Sequence, residues 1–458
     1  DTPAQMREKS DNLDTGYAPS ENTWELIVKY NGNLDRLTGG IRVEPLIAGY
    51  AIVTIPENLI GAFSRMEEIE FIEKPKKLYP QVTAGLGASC FYPLLQPVSG
   101  KALSGQGVYM AILDSGIDYT DPMFRYADGT TKIAWLWDQG KRADAEKGEK
   151  PPQGFFTGVE YSRKMLNANL QKNSERLTTD VTGHGTNVAK IAVQGAPESE
   201  LIVVKLGVPR ETSLPKTTEL MSAVDFCIAR ARQYGKPIAL NLSFGNNYGS
   251  HSGNSLIETY LDDMANYWKT SIVIGSGNEG SAAVHTAGKL TLNEEQEVEI
   301  AVSAYEASLN LQIWKNYVDE IGVSVIHPGG TAIGPLQRIQ GTQRFQLGET
   351  NLLVYYGEPS PYNPYQEIYL DFIPVGSYID DGIWKIRLTP IRITDGAFDM
   401  WLPAGNVLNS GTGFLNPVEE TTLTIPSTAT KVITVGAYDA RFDQAAAFSG
   451  RGYTRATN

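Results

Sequence analysis

Three side chains and one short turn carry the residue types that acyl-transfer chemistry needs. His184 stands between two glycines in Thr182-Gly183-His184-Gly185-Thr186-Asn187-Val188-Ala189. Glycines on both sides remove the Cβ atoms that would crowd a reacting group, so an imidazole here can approach a substrate closely as a general base. Asp114 closes the apolar run Gly107-Val108-Tyr109-Met110-Ala111-Ile112-Leu113 and is followed by Ser115-Gly116-Ile117-Asp118. Asn278, in Gly275-Ser276-Gly277-Asn278-Glu279-Gly280, is presented by a Gly-rich turn that follows an apolar run. Between them Ile238-Ala239-Leu240-Asn241-Leu242 runs into the small-residue turn Ser243-Phe244-Gly245. Each has a plain alternative: His184 as part of an ordinary Gly-rich loop, Asn278 as a turn residue that tolerates the left-handed region. What argues against chance is the order, with an acid, a histidine and an amide each following a strand or helix signal.

Those signals say how the residues are positioned. Val188, Ala189, Ile191, Ala192 and Val193 recur at roughly helical spacing. The pattern predicts a buried helix with His184 in its first turn and Thr182 or Asp180 as the N-cap. The runs ending at Asp114, at Ser243 and at Gly275 predict buried parallel strands with the chemistry just past their C-terminal ends, the edge open α/β sheets use. Leu201–Gly207 predicts a further buried strand, and Thr217–Tyr234 a helix ending at Gly235 with Pro237 beyond as a stop. Strand and helix alternating in this way imply an α/β fold, a parallel sheet covered by helices.

At these motifs the chain resembles the subtilisin-like serine proteases. Asp114-Ser115-Gly116-Ile117-Asp118, Gly183-His184-Gly185-Thr186, Asn241-Leu242-Ser243-Phe244-Gly245 and Gly275-to-Gly280 are similar to that family's aspartate, histidine, substrate-wall and oxyanion motifs. The likeness runs from about Gly107 to Gly280 and resumes near Pro426–Asp439. Lys132-Ile133-Ala134-Trp135-Leu136-Trp137-Asp138-Gln139 is similar to the germination-specific members of clostridial spores. The resemblance implies a serine endopeptidase with Asp114 and His184 as catalytic residues, Asn278 at the oxyanion, and Ser243, Phe244 and Gly245 pairing with an extended protein or peptide substrate. One motif departs from the pattern. The nucleophile's Gly-Thr-Ser-Met-Ala-type motif occurs nowhere, and Ser410-Gly411-Thr412-Gly413 imitates it without a serine at the required place. The serine is therefore expected beyond Asn458, on a missing C-terminal segment that acts as a partner of this chain. The rival expectation is a non-catalytic relative that works as a binding or signalling scaffold.

Around this core the chain divides into further parts. Residues 1–81 contain strand signals at Trp24–Tyr30, Ala48–Ile55 and Ile69–Glu73 and a helix signal at Asn58–Met66, a small α+β unit. It resembles the family's propeptide, an inhibitor and folding aid bound in the enzyme's own cleft. Carrying that register forward places the autoprocessed bond between Gln81 and Val82, with Leu78 as the apolar residue three positions before Gln81. Pro75–Gly105 predicts a linker and surface loop, and Lys141–Asp180 a long irregular excursion. Residues 82–288 and 421–458 form the expected catalytic domain. Between them, 289–420 carries short alternating runs such as Val298–Val302, Leu309–Trp314, Val323–Ile326, Asn351–Tyr355 and Trp384–Leu388, the pattern of an all-β sandwich. The resemblance implies an inserted jelly roll there.

Composition sets bounds on the rest. The 458 residues are 41% hydrophobic and carry a formal charge of −13, which argues against nucleic acid or an anionic membrane as the main partner. No run of 18 or more apolar residues predicts a membrane span. Two cysteines, Cys90 and Cys227, make no disulfide framework, and Cys227 sits in a helical apolar pattern as a small core residue. His251, His285 and His327 lack ligands at metal spacing, so no metal site is assigned and no cofactor is required. Calcium held by loop carboxylates such as Asp118 and Asp121 stays open without a named site. An extracellular or spore-associated location follows from the resemblance alone.

Overall fold

The computed structural model describes residues 14–80, 103–172, 175–207, 214–267, 269–339, 341–439 and 441–452. Gln81, Val82 and Cys90 lie outside them.

The N-terminal unit is an antiparallel sheet whose alternating side chains face two cores. Its strands are β1 (Thr23–Tyr30), β2 (Arg42–Leu46), β3 (Tyr50–Pro56) and β4 (Ile69–Glu73), with β3 between β1 and β2. Trp24, Leu26, Val28, Val53 and Ile55 point to one face and close a private core with Phe63. Ile27, Leu46, Tyr50 and Ile52 point to the other and join the main core of the chain. Strand periodicity thus docks the unit face-on, each fully buried aliphatic worth about 1.5–3 kcal/mol. The helix expected over 58–66 is shorter than its signal, a 3₁₀ turn at Glu57–Leu59 followed by Ile60–Phe63. Beyond β4 the chain forms a two-residue strand, β5 (Tyr79–Pro80), inside what the sequence predicts as linker.

The central sheet contains β6 (Tyr109–Asp114), β7 (Ile133–Asp138), β8 (Val159–Ser162), β9 (Glu200–Lys205) and β10 (Ile238–Leu242). After β10 come the short β11 (Phe244–Gly245), which belongs to another pairing, and then β12 (Thr270–Gly275) and β13 (Ile433–Val435). The spatial order is β13-β12-β10-β6-β9-β7-β8, parallel throughout except that β8 runs against β7. Four helices pack on it: α1 (Arg163–Lys172), α2 (His184–Gly195), α3 (Thr217–Gln233) and α4 (Leu256–Ala265). Successive residues of β6 serve different cores. Ile112 packs in a cluster with Leu166 of α1 and Ala189 and Val193 of α2. Ala111 and Leu113 pack in a cluster with residues of α3 and α4. The region 141–180 is more ordered than its charge and prolines predict, since β8 and α1 lie within it. Val159, Tyr161 and Leu166 are the apolar residues that anchor it.

The β-rich region is two antiparallel sheets around one apolar core. The first has six strands in the order His285–Lys289, Ala397–Trp401, Leu309–Asn316, Tyr365–Pro374, Thr350–Tyr356 and Thr342–Leu347. The second has five, Ala332–Ile333, Glu320–Ile326, Gly382–Arg392, Gln296–Val302 and Gly413–Phe414. Inward residues from both sheets, including Ile300, Leu311, Val323, Leu370, Trp384 and Met400, form the core. This unit starts before residue 289, because His285 already pairs with Trp401. Leu290–Leu292, an alternating run that reads as a strand in the sequence, follows that first strand outside any strand.

Candidate active site

Asp114, the turn after β10 and the turn after β12 lie together because their strands are neighbours in parallel register. β6 pairs with β10 through Leu113 and Leu242, and β10 pairs with β12 through Leu242 and Ile274. Asp114 is fully buried at the C-terminal end of β6. Its Oδ1 accepts the Ser115 amide at 2.7 Å and lies 2.5 Å from Nδ1 of His184. Oδ2 is buried and has no hydrogen-bond partner among the described residues. His184 is the first residue of α2, and the imidazole also approaches Phe244 of β11, ring centroids 5.9 Å apart.

The start of α2 is fixed by a network that the sequence only half reveals. The N-cap is Gly183, at φ 74°, rather than Thr182 or Asp180. A left-handed N-cap favours glycine, and glycine has no side chain to cap with. Asp180 does that work from outside. Its carboxylate accepts the amides of Gly183 (3.1 Å) and Thr186 (2.8 Å) and the hydroxyls of Ser115 (2.8 Å) and Thr186 (2.7 Å). Burial alone pushes this carboxyl up, but the donors outweigh it and hold it below its usual value. Ser115 in turn accepts the Gly185 amide at 3.0 Å, so the residue after the aspartate ties β6 to the histidine helix. Gly185 permits the contact. A Cβ there would meet the Gly116 carbonyl oxygen at 2.2 Å and the Asp114 Cβ at 2.9 Å.

Phe244 and Gly245 pair antiparallel with Pro80 and Tyr79, so the tail of the N-terminal unit lies as an added strand on the expected substrate wall. The other edge of the tail is also held. Leu78 donates to the Pro215 carbonyl at 2.7 Å, and Thr217 donates to the Lys76 carbonyl at 2.8 Å. Ser243 does not join this ladder; its hydroxyl accepts from the Asn241 amide at 3.0 Å. Asn278 lines a cavity of about 210 Å³ together with Tyr79, Gly245 and Glu279. The opposite wall comes from Gly405, Asn406 and Asn409 to Thr412, residues of the β-rich region. Gly277, at φ 101°, sets the turn that presents Asn278, and a Cβ there would strike Thr424. Glu279 is buried and accepts the Gly405 amide at 2.8 Å. Burial raises its carboxyl above the ordinary range, and that one amide pulls it partway back.

Asp118 accepts from Thr120 and pairs with Arg176 at 3.4 Å, and Asp121 caps Met123 and pairs with Lys190 at 2.7 Å. Among the described residues no group of three or more His, Cys, Asp or Glu side chains is placed to hold a metal. No described helix is long and apolar enough to cross a membrane. Cys227 is buried, and desolvation raises its thiol well above the ordinary value, which disfavours a nucleophilic thiolate. The sequence marks Asp180 only as an N-cap candidate and Ser410-Gly411-Thr412-Gly413 only as an imitation of the nucleophile motif; the carboxylate's wider network and the loop's place beside Asn278 come from the fold.

Comparison with known proteins bears on this arrangement. A profile of the Csp protease B prodomain matches residues 1–76, and one of the subtilase family matches residues 105–367. The solved structure of the Clostridium perfringens CspB protease aligns with a TM-score of 0.70 at 30% identity, covering 80% of this chain and 75% of that one. The PII-type proteinase of Lacticaseibacillus paracasei is 27% identical over 259 residues, 50% of this chain. The PI-type proteinase of Lactococcus lactis subsp. cremoris is 26% identical over 264 residues, also 50% of this chain. This chain spans only 13% of the length of either proteinase. With a prodomain profile preceding a family profile that matches more than half its length, the chain belongs to the subtilase family.

Proposed function

We propose that the chain acts as a subtilisin-type serine endopeptidase, autoprocessed between Gln81 and Val82. The observation that carries the reading is the 2.5 Å contact of His184 Nδ1 with buried Asp114 at the C-terminal edge of a parallel sheet. Asp114 holds the Nδ1 proton, which leaves Nε2 as the basic nitrogen. As a serine oxygen attacks the peptide carbonyl, Nε2 takes the serine's proton and the carbonyl's electron pair moves to its oxygen. Asn278 is the donor proposed for that oxyanion, a contribution of about 2.7–4 kcal/mol to the barrier. Collapse expels the amine, which leaves with the proton from Nε2, and water repeats the sequence on the acyl group. The serine belongs to a Gly-Thr-Ser-type motif that the 458 residues do not contain.

The substrate is a protein or peptide bound in extended form along Phe244–Gly245, the place the tail takes. The N-terminal unit is then an inhibitor retained after cleavage. We further read the helix-covered sheet as the catalytic domain and the β-rich region as a jelly-roll insertion, supported by its two antiparallel sheets. No cofactor enters this mechanism. An extracellular or spore-associated location is proposed from the likeness to the clostridial protease.

A fluorophosphonate probe tests the reading. Residues 1–458 alone should not be labelled, and the protein carrying the serine motif should be. In that protein His184→Ala should lower kcat on the order of 10⁶-fold. Labelling that survives His184→Ala would favour the scaffold reading.

A further inference from the structure

We infer that the cleft selects the substrate residue paired with Gly245 through a socket suited to tyrosine, half of it built by the β-rich insertion. The inference rests on the protease reading for its meaning as substrate specificity. The occupant on the page is Tyr79, which pairs with Gly245 and is only 6% exposed. On the proposed register it is the third residue before the cleaved bond.

Tyr79 packs against Tyr248, Ala404 and Leu214. Tyr248 belongs to the loop after β11, and Ala404 to the β-rich insertion. The insertion also pins the loop that carries Tyr248. Asn247 donates to the Leu402 carbonyl at 3.1 Å, and Gln312 accepts the Gly249 amide at 3.0 Å. Lys76, three residues before Tyr79, donates to the Tyr248 carbonyl at 2.8 Å. The socket is therefore rigid on both flanks of its principal aromatic.

Its floor is polar. Tyr79 packs on Tyr248, and the Tyr248 hydroxyl accepts from the Asn310 side-chain amide at 3.2 Å, which leaves its own proton for the oxygen of a tyrosine seated there. Asn310 lies on the insertion's Leu309–Asn316 strand. Two more buried polar atoms of the insertion, the Tyr369 hydroxyl and Asn310 Oδ1, have no partner among the described residues. An aliphatic side chain here leaves the Tyr248 hydroxyl proton buried without an acceptor, and a phenylalanine fills the space but supplies no oxygen for it. A lysine or glutamate has to shed its hydration without an ion pair. Tyrosine supplies both the ring and the oxygen.

The test has a binding arm and a specificity arm. In the full chain, hydrogen exchange at the Leu78 and Thr217 amides reports tail docking whether or not the protein is catalytic. Tyr79→Ala should speed exchange roughly tenfold to a hundredfold, the scale of a buried ring. Tyr79→Phe and Tyr248→Phe should each speed it about threefold to tenfold, one neutral hydrogen bond. The double variant should be no worse than either single one, since both remove the same bond. Unchanged exchange in Tyr79→Ala, or additive effects in the double variant, overturns the socket. In the active protease, peptides varied at the third residue before the bond should rank Tyr above Phe, and Phe above Leu and Lys. Tyr248→Phe should make Tyr and Phe equal. Brisk cleavage with a flat profile overturns the specificity claim. Exchange that behaves as expected while no peptide is cleaved removes the protease reading and leaves the socket standing.

Discussion

Gly185→Ala is the smallest change that should dismantle the Asp114–His184 pair without touching either residue. The added Cβ would sit 2.2 Å from the Gly116 carbonyl oxygen and 3.0 Å from Asp114 Oδ1. Carbon-to-oxygen contacts begin near ~3.3 Å, so α2 has to retreat by about 1 Å. His184 rides on the same turn, and its 2.5 Å contact would stretch past the ~3.2 Å limit of a sound hydrogen bond. Asp114, already with one buried unpartnered oxygen, would then keep only the Ser115 amide. Overpacking costs about 1–3 kcal/mol, and the loosened carboxylate adds about 1–3 kcal/mol more. Urea denaturation should show the loss of stability, and the far-downfield proton signal of a hydrogen-bonded Nδ1 should vanish. In the active protease kcat/KM should fall about 100-fold for a displacement near 1 Å. Gly183→Ala is the control. Its Cβ meets nothing within 4 Å, and only its φ of 74° is unfavourable. It should cost about 1–2 kcal/mol and leave the imidazole signal in place. A Gly185→Ala protein within about 0.5 kcal/mol of the parent and with that signal intact would refute the reasoning.

Docking of the N-terminal unit should weaken as pH rises from 5 to 8. Burial pushes Glu44 up to about 7, with Ser222 and Arg42 opposing and Glu25 and Asp225 assisting. Burial likewise pushes Asp225 up to about 6 against the Ile47 amide. Both carboxyls hold protons more tightly when docked, so their contribution is complete below about pH 4 and is lost as pH climbs through 6 and 7. Size-exclusion chromatography of the cleaved protein at several pH values reads the retained fraction, and a flat or rising profile sinks the idea. Residues 285–414 expressed alone should give a β-type circular dichroism spectrum, because they enclose their own core; a helical or unfolded spectrum would contradict that. N-terminal sequencing of the processed enzyme should read Val82-Thr83-Ala84, and a start beyond about Ser89 would displace the cleavage site.

The parts of the site that lie within one strand-and-turn unit were legible in the sequence. Asp114 and Asn278 each follow an apolar segment and His184 precedes one, and such segments are local information. The capping of α2 was legible only in part. Asp180 was recognisable as a helix-start acid, but the left-handed Gly183 between it and the helix depends on how the loop crosses β6. In the β-rich region the alternating runs were found, while Tyr365–Pro374 was not. That strand is central in its sheet and buried on both faces, so it lacks the alternation of a half-exposed strand.

What no local pattern can give is the partnership between segments far apart in the chain. The socket around Tyr79 draws on Leu214, Tyr248, Asn310 and Ala404, and the cavity beside Asn278 adds Gly405, Asn406 and Asn409 to Thr412. None of these is unusual in its own neighbourhood; each matters through what the fold sets against it. The β-rich region lies between the Asn278 turn and β13 in the chain, so its loops reach the cavity beside Asn278 without any rearrangement of the central sheet. On the proposed reading, that placement lets the β-rich region alter which peptides fit while leaving the positions of Asp114 and His184 to β6 and α2. Specificity and catalysis would then rest on separate structural supports, and a variant in one should leave the other measurable.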